Sequence, residues 1–74
     1  MNRIITQREA LDNHHARLIA QGMENAGADV FSVTGDSRGR IAVYCRHNAV
    51  LPAAAIDEAI ETVLSTKAAF YREG

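Results

Sequence analysis

The sequence predicts an α+β domain in which two helices pack on one face of a small antiparallel β-hairpin sheet, in the order α-β-β-α. Three observations lead there. Apolar residues recur at helical spacing over two stretches, about 6–26 and about 52–72. Between them lie two β-rich runs joined by turn formers, a hairpin over about 29–46. The length of 74 residues, 8.1 kDa, fits a single domain, 1–74, and no second one.

The first helix is placed by a Thr6-x-x-Glu9 pattern, which reads as a capping box with Ile5 and Ala10 as a weak hydrophobic staple. Arg3-Ile4-Ile5 ahead of it has short-strand character. At 100° per residue Leu11, His15, Leu18, Ile19, Gly22 and Ala26 gather on one side, with Met23 at its edge. Gly27 is placed to close the helix in a left-handed conformation. Gly22 inside the helix costs about 1 kcal/mol relative to alanine, so its position beside Ala26 implies that another backbone comes close.

The hairpin follows as Asp29–Thr34 and Ile41–Arg46 around the turn Gly35-Asp36-Ser37-Arg38-Gly39-Arg40. Strict alternation puts Phe31, Val33, Ile41, Val43 and Cys45 on the buried face and Ser32, Thr34, Tyr44 and Arg46 outside. His47–Leu51 reads equally as a loop or a brief third strand. Pro52 suits the start of the second helix. Ile56, Ile60, Val63, Leu64, Phe70 and Tyr71 form its stripe, with Lys67 snorkelling inside it.

A chain of this length removes only about 60% of its unfolded surface from water. Thirteen of its apolar residues are alanine, which contribute little area each. A two-stranded ribbon also leaves two open edges. These facts predict a homodimer, formed either edge to edge through the sheet or face to face through Gly22 and Ala26.

Bulk properties exclude several function classes. A net charge of −1 with pI near 6.2 argues against wholesale attraction to nucleic acid or anionic membrane. One cysteine forms no internal bridge, and no apolar run is long enough to cross a bilayer. The opening residues do not read as a secretory signal. A cytoplasmic protein without cofactors is the expectation.

Chemistry-bearing residues are few. His15 lies on the apolar stripe of the first helix, and Cys45 and His47 share a strand face. These three are the only candidates for a metal site, and they lack the paired spacing of ordinary zinc ligands. Gly35-Asp36-Ser37 matches the opening of a serine-hydrolase signature, but turn chemistry explains each residue. In element order the chain resembles the double-stranded-RNA-binding domain. The resemblance is architectural only, because Asp57, Glu58 and Glu61 stand where that family carries basic residues.

What remains is an outward hairpin surface with Arg38, Arg40, Tyr44 and Arg46, residue types over-represented at binding hot spots. The expectation is therefore a small non-enzymatic protein-interaction module, a homodimeric regulator, adaptor or inhibitor of the kind found among phage and mobile-element accessory proteins. It has itself and one further protein as partners and no membrane role. The alternative is a dimeric nucleic-acid-binding protein that uses the same arginine-bearing hairpin.

Overall fold

The computed structural model describes residues 3–73, with side chains through residue 66. Strand β1 (Arg3–Ala10) leads into helix α1 (Asn13–Asn25), then strands β2 (Asp29–Gly35) and β3 (Ile41–Asn48), then helix α2 (Ala53–Glu73). The sheet order is β1-β3-β2, antiparallel at both junctions. The α+β class and the one-sided helix layer agree with the sequence reading. The side chains of Lys67, Phe70, Tyr71 and Arg72 lie outside the described ones.

One element corrects the sequence reading. Residues 6–10 belong to a strand, so the first helix begins at residue 13 and the order is β-α-β-β-α. Thr6 and Glu9 do not form a capping box. Thr6 faces inward, and its hydroxyl lies 2.7 Å from Nε2 of His47. Asp12 is the cap instead, accepting the backbone N–H of His15 at 2.8 Å. His15 reciprocates by accepting the N–H of Leu11 at Nδ1, 2.9 Å away, so both ends of an Asp12-x-x-His15 pair satisfy exposed backbone donors. Leu11 precedes the helix and is 86% exposed.

The other helix boundary matches its signal. Gly27 has φ of +100°, and the N–H groups of Gly27 and Ala28 reach back to the carbonyls of Glu24 and Met23. The Pro52 carbonyl accepts from Ala55 and Ile56 at the start of α2. His47 and Asn48 extend β3, and residues 49–51 turn, so no separate strand forms there.

The core lies between the inner sheet face and the two helices. Met23, Val43, Cys45 and Ile56 have essentially no exposure, and Ala10, Ala16, Ile19 and Ile60 surround them. A bidentate pair ties the sheet to α2: the Arg8 guanidinium meets both Asp57 carboxylate oxygens at 2.5 and 2.8 Å. That guanidinium holds the Asp57 carboxyl below the usual aspartate range.

Gly22 is the closest helix–helix point. A Cβ placed there would lie 2.5 Å from Ile60 Cα and 2.9 Å from Ile60 N. The neighbour that the glycine requires is thus α2 of the same chain, not a second copy. Ala26 likewise packs against the chain's own core. The face-to-face dimer through Gly22 and Ala26 accordingly loses its structural motive.

Gly22→Ala is expected to destabilise the fold by about 1–2 kcal/mol in urea denaturation, because backbone overlap outweighs the ~1 kcal/mol gain in helix propensity. Stability equal to or above that of the parent would contradict the close approach.

Candidate interaction face

The layer arrangement leaves one sheet face uncovered. Cross-strand register identifies what stands on it: Ile5, Arg46 and Asp29 in one row, Gln7, Tyr44 and Ser32 in the next, and Glu9, Ala42 and Thr34 in the third. Three strands supply these side chains, so the face is rigid where it matters for recognition.

Strand β2 does not alternate simply. Val30 pairs with Cys45 and Val33 with Val43, both facing inward, while the register shifts between Val30 and Ser32. Phe31 and Ser32 together oppose Tyr44, a β-bulge. The extra residue turns Phe31 onto the open face, against the alternation that would bury it with Val33. No residue there needs a positive φ, so the bulge leaves no glycine marker in the sequence.

On the open face Phe31 completes a cluster. Its ring centroid lies 6.2 Å from that of Tyr44 at a tilt of 49°. The Arg46 guanidinium carbon sits 4.4 Å from the Phe31 centroid, within cation–π range. Ring and guanidinium hold each other in place, which lowers the rotamer entropy a partner must remove on binding. Phe31 remains 41% exposed and neighbouring Ile5 61%.

Of the four residues expected to bind a partner, Tyr44 and Arg46 therefore stand at the centre of the open face. Arg40 borders a shallow depression of about 200 Å³ that it shares with Tyr44, Gln7, Glu9 and Thr34. Arg38 lies apart at the hairpin tip. There Asp36 organises the turn, its Oδ1 accepting the backbone N–H groups of Arg38 and Arg40 at 2.9 Å each. Gly39 adopts φ of +84°, and Asp36 Oδ2 approaches the Arg40 guanidinium at 3.7 Å. Asp36 thus offsets part of the tip's positive charge.

His15, Cys45 and His47 do not gather around a metal position, and among the described residues no three His, Cys, Asp or Glu side chains do. Cys45 and His47 share the inner face of β3, as alternation requires. Burial pushes the Cys45 thiol upward, away from the reactive thiolate form. The His47 Nδ1 is 3.1 Å from the Asn48 carbonyl, so the tautomer with Nδ1–H donating leaves Nε2 to accept the Thr6 hydroxyl. His15 serves the helix start. No helix among the described residues is long and apolar enough to cross a membrane.

No protein-family model, curated protein or solved structure matches the chain.

Phe31→Ala is expected to cost about 1 kcal/mol of stability, the size of a partly exposed aromatic and cation–π contact. A loss of about 3–5 kcal/mol, the range for a phenylalanine removed from a core, would place the ring on the inner face instead.

Proposed function

We propose that this chain is a small, non-enzymatic interaction module in the cytoplasm, a regulator, adaptor or inhibitor that acts by occupying a partner protein with its open sheet face. The observation that carries this reading is the Phe31–Tyr44–Arg46 cluster, built by three side chains at the middle of the one uncovered layer. Aromatic and arginine side chains on a rigid platform are the residue types that dominate binding energy at protein interfaces.

The chemistry of the face describes the partner. Ile5 and Phe31 offer apolar area beside the Arg46 guanidinium, which fits a surface presenting an apolar side chain next to a carboxylate. The polar depression along Tyr44 and Arg40 extends that footprint towards the hairpin. Support for binding rather than catalysis comes from the reactive side chains: Cys45, His47 and His15 are each taken up in packing or local hydrogen bonds.

Nucleic acid is the competing ligand, because stacked aromatic and arginine groups also receive unpaired bases. Glu9, Asp29 and Asp36 around the same face weigh against a phosphate backbone, and so does the net charge of −1.

The test is capture from a native, nuclease-treated lysate by the immobilised chain. A protein retained by the parent and by Arg17→Glu on α1, but lost with Arg46→Glu or Tyr44→Ala, is the expected result. Equal retention by all four, or retained nucleic acid whose binding falls steeply with salt, would overturn the reading.

A further inference from the structure

The two sheet edges are not equivalent. Strand β2 is interrupted by its bulge at Phe31 and ends at Gly35. Strand β1 carries no bulge. Its eight residues pair with β3 in unbroken register from Arg3↔Asn48 to Ala10↔Ile41, and its other side is the sheet's edge. Arg8 points inward, where an edge charge would ordinarily discourage pairing, but Asp57 neutralises it beneath the sheet. Two adjacent isoleucines also stand partly uncovered on this strand, Ile4 at 41% and Ile5 at 61%.

We propose that β1 is the interface for a second copy of this chain, in which two β1 strands pair antiparallel about a two-fold axis and join two sheets into one of six strands. A two-fold axis perpendicular to the sheet keeps the helices of both copies on the same side. Paired residues must then share a face, so their numbers sum to an even value. Three such registers are reasonable for Arg3–Ala10, and their chemistry differs.

A sum of 10 pairs only residues 3–7. A sum of 14 leaves Arg3 unpaired and sets Ile5 against Glu9. A sum of 12 pairs residues 3–9 in full, with Arg3 opposite Glu9 at both ends, Thr6 opposite Thr6 on the axis, Ile4 against the stem of Arg8, and Ile5 against Gln7. Opposite charges and paired threonines are favourable cross-strand partners. The strand is therefore complementary to itself in charge as well as in backbone. The joined sheet would also present two Phe31–Tyr44–Arg46 clusters on one continuous face. The pairing itself uses none of those residues and stands independently of what they bind.

Sedimentation equilibrium of the full chain tests this directly. The parent is expected to dimerise in the micromolar range. Arg3→Glu and Glu9→Arg, both on exposed positions, each place like charges at the two symmetric contacts and should raise the dissociation constant about 10-fold. The combined R3E/E9R swap restores opposite charges and should return the parent's affinity. Circular dichroism establishes that each variant is folded, and if one single variant is not, the other single variant and the swap carry the comparison. A parent that stays monomeric, a dimer indifferent to either reversal, or a swap no better than the single reversals would each overturn the proposal.

Discussion

One extra residue in β2 sets both sides of this sheet. By opposing Phe31 and Ser32 to Tyr44 alone, the bulge lets Val30 and Val33, three positions apart, both face the helices. It also sends a large aromatic ring to the uncovered side, where Arg46 and Tyr44 receive it. Without the bulge, an unbroken period of two would keep Phe31 and Val33 on one face, either driving the ring into a core already filled by Met23, Val43 and Ile56 or turning Val33 outward. The core's composition and the open face's chemistry are thus two consequences of the same register shift.

The helix layer follows from a second economy of space. With much of its apolar content in alanine, the chain cannot fill a wide gap between layers. It draws its helices together by leaving position 22 without a side chain, which seats Ile60 against the α1 backbone. The Arg8–Asp57 pair, one turn from Ile60 on α2, also fastens α2 to the sheet. These contacts lie on the inner face, and the outer one carries the exposed Phe31–Tyr44–Arg46 cluster. A one-sided two-layer fold of this size leaves a sheet face for recognition.

Much of the local structure is legible in the residues. Gly27 marks the end of α1, Gly39 and Asp36 build the hairpin turn, and the spacing of Ile56, Ile60 and Val63 marks the buried side of α2. Gly22 signals a close backbone, although the residue alone does not say whose. Strand β1 escapes local reading because its reason is remote: Thr6 has good cap chemistry with Glu9, yet its partners are Cys45 in register and His47 by hydrogen bond, about forty positions along the chain. Asp12, the cap that forms, has His15 rather than Glu or Gln three positions on, so no capping-box pattern marks it. For the interaction face, Tyr44 and Arg46 follow from alternation on β3, whereas Phe31 does not, because a bulge built from ordinary residues without a glycine leaves no trace in the pattern.

The binding role of the open face depends on which side of the sheet carries Phe31, and nuclear Overhauser contacts from its ring measure that most directly. Contacts to the Arg46 methylenes and the Tyr44 ring, with none to the Val43 methyl groups, are the predicted pattern. Contacts from the ring to Val43 or Met23 would mean that β2 alternates without a bulge, that the ring is buried, and that the open face lacks the cluster on which its binding role is built.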